Sequence, residues 1–361
     1  MGRGACGEAD AVNKEAMREF MGRFMEMTTG AAVLGVVAVA DRTGLFRELQ
    51  GQGPLSMDEI AQRSGFQPRY LEEILATLSA ARIVVYDAEA DTYALPEEHA
   101  ACLADESSPY FLAGWSQMVP ALYGAIPGVA KACREGGGVP FSEFGEDMIE
   151  GIARSNGPGT RLLLTRKWLP LMPDMVSRLE SGIRVADVGC GAGAAALTMA
   201  RAYPNSEILG YDVDASSLER ARSAADEAGA TNASFERIDG KAIPSDPGFD
   251  LITTFDVIHD VVDPLAVLGQ IRSALRKGGC YLMVEPVAGD SLAENLHSAG
   301  ALTYAMSTLH CMTQSLAHGG VGLGAAWGPQ RAEQYCRDAG FTGFVRLEVP
   351  NPFNAFYRVE A

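Results

Sequence analysis

The sequence has few basic residues for its length. Its 361 residues include 29 lysines and arginines against 46 aspartates and glutamates, which gives a formal net charge of −17 at pH 7. A surface this acidic repels the phosphates of nucleic acids. We therefore expect no nucleic-acid substrate or partner.

The cysteines show no pattern of metal binding or disulfide formation. There are seven of them, an odd number, and no two stand at a C-x-x-C spacing. A disulfide framework or a zinc site needs paired or clustered cysteines. We expect reduced thiols, no metal and a cytoplasmic protein.

Long hydrophobic runs are missing too. The longest apolar stretch, residues 31–40, is shorter than the roughly 20 residues that cross a bilayer, so we expect no membrane partner. No basic segment followed by an apolar run opens the chain, so we expect no signal peptide. The composition, 47% hydrophobic and 21% charged, is that of a globular protein with room for two compact domains.

Residues 1–105 predict a mostly helical winged-helix domain that dimerises. Ser56 and Glu59 have the spacing of a capping box, Pro68 begins a third helix, and residues 83–86 and 92–95 predict the two strands of a wing. Winged helices often bind DNA, but residues 55–95 hold three basic and seven acidic residues. That balance favours dimerisation over phosphate binding.

An apolar stripe near the beginning of this domain supports a homodimer. Its residues follow the spacing of one helix face, and an apolar segment comes after them, so together they are too hydrophobic to leave in water. The stripe consists of Met17, Phe20, Met21, Phe24 and Met25.

Residues 106–180 predict helices that are rich in large apolar side chains, such as Trp115, Phe141 and Trp168. The segment is interpreted as a hydrophobic connector or as a lid over a small apolar substrate, and the two roles are compatible.

Residues 181–361 alternate strands and helices, which predicts a doubly wound α/β domain. The last two strands form a predicted hairpin. The predicted strands are residues 184–188, 207–212, 234–238, 250–255, 280–285, 343–349 and 355–359.

A glycine-rich turn follows the first of these strands. Gly189, Gly191 and Gly193 precede a helix, where glycine lets the backbone approach a ligand and the helix N-terminus favours an anionic group. The turn also fits G-x-G-x-x-A, so a nicotinamide-dependent oxidoreductase is an alternative. Asp187, on the preceding strand, argues against it, because a carboxylate there favours a cationic ligand over a pyrophosphate.

Polar residues also end the next strands. Asp212 suits the two hydroxyls of a ribose, and Asp239, with Gly240, suits an adenine amino group. Phe255 ends the fourth strand at the same edge of the sheet. Together with Asp187, these residues predict a nucleoside site.

These residues carry a resemblance to class I S-adenosylmethionine-dependent methyltransferases. Residues 187–193 resemble the first motif of that family, Asp212 the second and Asp239 the third, and the terminal hairpin resembles its reversed last strand. With its winged-helix front, the chain resembles small-molecule O-methyltransferases. The resemblance implies a Rossmann-like seven-stranded sheet, S-adenosylmethionine as cofactor, a dimer and a small-molecule acceptor.

The segment after the fourth strand holds the candidate catalytic residues. Plant-type O-methyltransferases carry a histidine–aspartate pair there, which His259 and Asp260 match, and Glu285 matches a carboxylate that orients the histidine. The resemblance implies that His259 is the general base. The tryptophan that follows the pair in plant enzymes is Val261 here, so the acceptor slot must differ.

We therefore predict a transferase that methylates a hydroxyl or carboxyl oxygen of a small molecule. The alternative acceptor is the sulfur of a small thiol or thioether, which needs less help in losing a proton. A ligand-sensing regulator is a further alternative. A last group of residues in the predicted helix 291–316 indicates a pocket wall, not a metal site: Asn295, His297, Tyr304, His310 and Cys311.

Overall fold

A computed structural model describes residues 12–361. These residues belong to two units, one that ends at Asp105 and one that runs from Glu106 to Ala361. Cys6 and the start of the predicted first domain lie outside the described residues. The segment predicted as a connector, residues 106–180, is part of the second unit.

The first unit contains five helices and a two-stranded wing among the described residues. Its core consists of buried leucines of the fourth helix packed against side chains of the first three helices. The wing strands pair antiparallel. The elements are α1 (Lys14–Arg42), α2 (Leu45–Leu49), α3 (Met57–Ser64), α4 (Pro68–Ala80), β1 (Val85–Asp87), β2 (Thr92–Ala94) and α5 (Glu97–Leu103).

Helix α1 differs from the sequence-based expectation. The apolar stripe and the apolar run after it belong to one uninterrupted helix of 29 residues, capped by Asn13. By length and composition alone this helix could cross a membrane, which the short apolar run did not predict. Only 22% of its most apolar window is buried, and the stripe residues Phe20 and Phe24 are both 55% exposed.

The second unit is built on a seven-stranded sheet in the order β5-β4-β3-β6-β7-β9-β8. Strands β3 to β7 pair in parallel, and β9 runs antiparallel to both β7 and β8. The predicted α/β fold with a reversed last strand is confirmed. The strands are β3 (Arg184–Val188), β4 (Glu207–Asp212), β5 (Ala233–Arg237), β6 (Phe249–Phe255), β7 (Leu275–Pro286), β8 (Gly343–Leu347) and β9 (Asn354–Glu360).

The strand order places a ligand crevice at the carboxyl ends of β3 and β6. The chain leaves β3 toward β4 on one side and returns to β6 on the other, which makes this the switch point where open α/β sheets bind ligands. Helices cover both faces of the sheet, as its buried central strands require.

Nine α-helices of the described residues belong to the second unit. They are α6 (Ala113–Glu135), α7 (Glu146–Leu163), α8 (Pro173–Ser181), α9 (Ala194–Ala202), α10 (Ala215–Ala228), α11 (Pro264–Ala274), α12 (Ser298–Met306), α13 (Met312–Ala317) and α14 (Pro329–Asp338). Four of them, α8 to α11, precede or follow the parallel strands β3 to β7 along the chain, and the other five precede α8 or follow β7.

The predicted helix 291–316 is interrupted. A π-helical turn, Ser307–Cys311, joins α12 to α13, and the His297 side chain caps α12 by accepting a hydrogen bond from the Gly300 N–H. His297 therefore lies before the helix, and the spacing of seven residues does not place it on one regular helix face with Tyr304 and Cys311.

The glycine run between α6 and α7 is packed against α13. The Val139 N–H donates to Thr313 Oγ1 at 2.9 Å, and a Cβ at Gly138 would lie 1.9 Å from the Thr313 carbonyl oxygen. Close packing at Gly138 leaves no space for a side chain, so this run fastens the segment 106–180 to α13.

We predict that Ser56→Ala lowers the local stability of α3 by about 1 kcal/mol, because it removes an N-cap. Ser56 Oγ accepts from the Glu59 N–H at 3.3 Å, and Glu59 Oε2 accepts from the Ser56 N–H at 2.8 Å. Hydrogen exchange of the α3 amides measures the change.

Ser79→Ala is the matched control. Ser79 Oγ is buried without a hydrogen-bond partner, so its removal should be neutral or stabilising. An equal loss of protection in both variants would contradict the assignment of the cap.

Candidate functional site

A cavity of about 600 Å³ opens at the carboxyl edge of the sheet in the second unit. Its floor is the turn after β3 and the ends of β4 and β6, and its walls come from α7 and the α12–α13 segment. The size suits a small-molecule ligand. Seven of the eight residues predicted to bind the cofactor line it; the exception is Gly193.

The glycine turn shapes one side of the cavity. Gly189 and Gly191 both have positive φ, 70° and 52°, as predicted for a turn that only glycine adopts readily. A Cβ at Gly189 would lie 2.4 Å from Val257, whereas a Cβ at Gly191 would meet no described atom within 4 Å. Gly191 therefore borders open cavity, and Gly193 packs behind it against Phe235.

Asp212 holds the turn in place. Its Oδ2 accepts from the Gly191 N–H at 2.8 Å, and its Oδ1 accepts from the Asp214 N–H at 2.9 Å. Burial raises the pKa of Asp212, and these two backbone hydrogen bonds oppose the rise. The carboxylate that the sequence assigned to a ribose thus also fixes the shape of the glycine turn.

Asp187 is the most deeply buried acid of the cavity floor. It is 1% exposed, and its Oδ1 accepts from Thr253 Oγ1 at 2.8 Å. Burial raises the pKa of Asp187 to about 7, against the lowering effect of the Thr253 hydrogen bond. The group is therefore half-ionised near neutral pH, and a cationic ligand would favour its charged form.

The remaining predicted cofactor residues complete the rim. Asp239, Gly240 and Phe255 all line the cavity. Asp239 lies at the surface, where its carboxylate is 3.3 Å from Lys241 Nζ and accepts from the Lys241 N–H at 3.0 Å. The three acids predicted from successive strand ends do meet at one cavity.

His259 lies behind the cavity wall, between two carboxylates. It is 3% exposed; its Nδ1 is 2.6 Å from Glu285 Oε2 and its Nε2 is 3.2 Å from Asp260 Oδ1. Glu285 is fixed in turn by the Ile258 N–H, which donates to Oε1 at 2.9 Å. Of these three predicted catalytic residues, Asp260 lines the cavity.

The charge of His259 follows from this position. Burial would lower the pKa of His259, but the carboxylates of Asp260 and Glu285 outweigh it and hold the pKa well above the ordinary value. The ring is therefore an imidazolium with a carboxylate beside each nitrogen. That His259 is the general base stays a prediction, and in this arrangement the ring reaches the cavity through Asp260.

Sequence reasoning missed Asp256. This residue lines the cavity with a positive φ of 56°, and it accepts a 2.6 Å hydrogen bond from Asn354 Nδ2 of β9. Burial raises the pKa of Asp256 to about 7. Nothing in the sequence indicates a positive φ at this non-glycine residue. The hydrogen-bond partner of Asp256, Asn354, stands 98 positions away, so sequence proximity could not reveal it either.

The predicted pocket-wall group divides in the structure. His310 lines the cavity together with Gln314 one turn later, whereas the other four residues do not. Asn295 and Tyr304 instead hydrogen-bond to each other at 3.2 Å. The α7 residues Ile149 and Ile152, which carried no distinct signal in the sequence, form an apolar wall of the same cavity.

The expectation that the chain lacks a metal-ligand cluster rested on sequence spacing alone. The fold brings ligand-type atoms of His259, Asp260 and Cys311 within 4.8 Å of one another. Cys311 is far from the other two in sequence, so spacing could not reveal the cluster.

Two family models match the chain. Residues 179–339 match one described as a methyltransferase domain, and residues 31–105 match one described as an Rv2258c-like winged HTH domain. These matches define the class of protein, in which a methyltransferase domain follows a winged-helix domain. The class of enzyme predicted from the sequence is confirmed.

Relatives with assigned activities cover the chain to different extents. Acetylserotonin O-methyltransferase of Rattus norvegicus is 28% identical over 354 residues, which cover 93% of this chain and 76% of that protein. A ubiquinone biosynthesis O-methyltransferase of Leptothrix cholodnii is 28% identical over 167 residues, which cover 46% of this chain and 66% of that protein.

Solved structures share the fold over nearly the whole chain. Human N-acetylserotonin methyltransferase in complex with SAM has a TM-score of 0.66 at 20% identity and covers 98% of this chain and 99% of its own. A mitomycin 7-O-methyltransferase has a TM-score of 0.70 at 18% identity, with coverages of 97% and 100%.

We predict that Asp187→Asn stabilises the protein while weakening its binding of S-adenosylhomocysteine. Because the folded-state pKa of about 7 lies above that of the unfolded chain, ionisation of Asp187 destabilises the fold as pH rises toward 7. The asparagine avoids this cost and can still accept from Thr253. The difference in melting temperature between the Asp187→Asn variant and the wild type should therefore grow between pH 5 and 7 and then level off.

Calorimetry with S-adenosylhomocysteine gives the second half of the test. Loss of the carboxylate should weaken binding by roughly tenfold or more, because a charged partner of the ligand is gone. An unchanged dissociation constant, or a stability difference independent of pH, would contradict the assignment.

Proposed function

We propose that this chain transfers the methyl group of S-adenosylmethionine to an oxygen atom of a small molecule. The observation that carries the proposal is one cavity that joins the acid-lined glycine turn to the buried Glu285–His259–Asp260 chain. The first part suits a nucleoside-containing cation, and the second suits the handling of a proton.

The cavity residues fit the cofactor by charge and by space. S-adenosylmethionine supplies an activated methyl group on a sulfonium centre. Asp187 and Asp239 offer carboxylates to a cation and to an amino group, and Asp212 offers acceptors to ribose hydroxyls. The open space beside Gly191 supports close approach of a ligand to the backbone.

Glu285, His259 and Asp260 act in this proposal as one acid–base unit. Glu285 orients the ring, and the positive charge of His259 lies beside the Asp260 carboxylate at the cavity wall. In this proposal the base function predicted for His259 is therefore shared with Asp260, which is the member of the pair that lines the cavity. Removal of a proton from the acceptor is the chemistry that an oxygen nucleophile needs.

The apolar wall supports a small, partly apolar acceptor. Ile149 and Ile152 of α7 and Phe141 face the cavity. Three of the four similar proteins named above are described as O-methyltransferases, which favours oxygen over sulfur as the accepting atom. A nicotinamide enzyme is disfavoured because the buried Asp187 would repel a pyrophosphate at the turn.

We further propose a homodimer in the cytoplasm. The exposed apolar stripe of α1 supports the dimer, and the six described cysteines, all free thiols, agree with a reducing compartment. A second copy of the chain would bury the apolar stripe without a membrane. The excess of acidic residues in the first unit disfavours DNA as a partner.

We predict that His259→Gln lowers methyl transfer to oxygen by roughly 10²–10⁴-fold, because Asp260 loses the positive charge beside it. Binding of S-adenosylhomocysteine should be unchanged. The measurement uses methyl-labelled S-adenosylmethionine and a panel of small hydroxyl and thiol compounds. His297→Gln, outside the cavity, is the matched control and should leave turnover unaffected.

Turnover of a thiol that survives in His259→Gln, with no hydroxyl compound methylated by the wild type, would replace the oxygen acceptor by sulfur. Binding of S-adenosylhomocysteine without transfer to any compound in a cell extract would favour a ligand-sensing regulator.

We predict that light scattering gives about twice the chain mass of 38.3 kDa. Charging the stripe with Phe20→Glu and Phe24→Glu should produce monomers, because like charges on a buried apolar face prevent association. Sedimentation with lipid vesicles distinguishes a membrane-bound helix. Wild-type monomers at micromolar concentration would refute the dimer.

A further inference from the structure

Asp256 lies between the two halves of the cavity. The next residue, Val257, packs on the glycine turn, since a Cβ at Gly189 would lie 2.4 Å from Val257 Cγ2. On the other side, the charges of His259 and of its two carboxylate partners act on Asp256 through space. In the proposed reaction a methyl group crosses from the cofactor half to the acceptor half, so Asp256 borders the place of transfer.

The Asp256 carboxylate is held at one oxygen and open at the other. Its Oδ1 accepts from Asn354 Nδ2 at 2.6 Å, and its backbone N–H donates to the Val284 carbonyl oxygen at 2.9 Å. Its Oδ2 has no hydrogen-bond partner in residues 12–361, and unlike Asp260 Oδ1 it keeps accessible surface in a side chain that lines the cavity. The two hydrogen bonds fix a strained backbone with a φ of 56°. The open oxygen is therefore held in place for a ligand.

The cavity offers Asp256 no cation of its own. The described residues that line the cavity include seven aspartates, one lysine and no arginine, and the lysine, Lys241, lies 3.3 Å from Asp239. The imidazolium of His259 already has a carboxylate on each side. Burial raises the pKa of Asp256 to about 7, so its charged form is favoured only when a positive charge comes close. The ligand must supply that charge.

We propose that Asp256 Oδ2 pairs with the sulfonium centre of S-adenosylmethionine and so distinguishes this cofactor from its product, S-adenosylhomocysteine. This rests on the proposed methyl transfer and adds a specificity-determining residue to the same site. The two ligands share their adenosine, amino and carboxylate groups, so Asp187 and Asp212 meet the same groups in both. They differ by one methyl group and one positive charge, and the junction at Asp256 is where that difference arises.

The attraction ends when the methyl group is transferred. The methyl carbon forms its bond to the acceptor oxygen, and the carbon–sulfur bond breaks with its electrons left on sulfur. The sulfur becomes a neutral thioether, and the proton of the acceptor passes to the acid–base unit described above. Asp256 is then a partly buried carboxylate without a cation, which is unfavourable. The residue therefore promotes release of the product and its exchange for fresh cofactor.

The test compares the binding of the two ligands to the full chain by calorimetry, without an acceptor. In Asp256→Asn we expect the dissociation constant of S-adenosylmethionine to rise roughly tenfold or more and that of S-adenosylhomocysteine to stay nearly constant, since only the first carries the charge. The asparagine can still accept from Asn354. Sinefungin, which has an amine-bearing carbon in place of the methylated sulfur, is a second cation and should follow S-adenosylmethionine.

Two other aspartate-to-asparagine variants of the cavity lining are the controls. Asp187→Asn should weaken both ligands by the same factor, because the groups at the glycine turn are common to them. Asp263→Asn keeps the hydrogen bond from the Ala266 N–H and should leave the preference between the ligands unchanged. Equal losses for both ligands in Asp256→Asn, or an equal loss of preference in Asp263→Asn, would overturn the assignment.

Proton release is a readout independent of affinity. At about pH 6 most Asp256 is protonated, so S-adenosylmethionine should displace its proton and S-adenosylhomocysteine should not. Asp187 titrates in the same range but meets both ligands alike, and His259, Asp260 and Glu285 face Asp256 whichever ligand is bound. Calorimetry in buffers of different ionisation enthalpy measures the excess, which should vanish in Asp256→Asn. Equal proton release by the two ligands in the wild type would overturn the proposal.

Failure here is distinct from failure of the proposed function. If the wild type binds both ligands and Asp256→Asn treats them as the wild type does, methyl transfer stands and the sulfonium assignment falls. If neither ligand binds the wild type, the proposed function itself falls.

Discussion

Glu285, His259 and Asp260 form a row of charged side chains in the second unit. The need to hold these charges in place constrains the backbone around them. One carboxylate lies on each side of the imidazolium, which leaves a net negative charge on the row, and two of its members, His259 and Glu285, are only 3% and 1% exposed. Such a group is tolerated only when hydrogen bonds fix each member. The Ile258 N–H on Glu285 supplies one of them, which ties the row to the chain directly after β6.

The same constraint extends along the carboxyl edge of the sheet. Asp187 is buried there and Asp212 and Asp256 are partly buried, and burial raises the pKa of each. Burial of these carboxylates opposes their ionisation, and the charge of Asp212 adds to this effect at Asp187, so their ionised forms are electrostatically costly to the fold. A cation bound among them relieves that cost, which is the physical reason why destabilising residues persist at a binding site.

The upper walls depend on contacts between segments that are distant in the chain. The glycine run after α6 packs on α13, and α13 continues from the turn that carries His310. The helices that wall the cavity are therefore coupled to the segment that carries His310. A change in the glycine run would be felt at His310, although it lies far from it in sequence.

The sequence by itself determined the architecture and the cofactor half of the site. These features are local patterns: alternating strands and helices, the glycine turn, and acids at strand ends. Local patterns can be recognised in the sequence without knowing how the chain packs. The bounds of β3 and β4 agree with the predicted ones, and Asp187, Asp212 and Asp239 meet as their strand order required.

Only the tertiary structure decided the acceptor half. It placed His259 behind Asp260 and brought Cys311 beside these two residues. It also put His310 in a π-helical turn at the cavity wall and gave Asp256 its positive φ. Each of these depends on which distant segments pack together and on which atoms are left without a partner. Sequence periodicity carries neither kind of information, because burial and hydrogen-bond satisfaction are properties of the assembled fold.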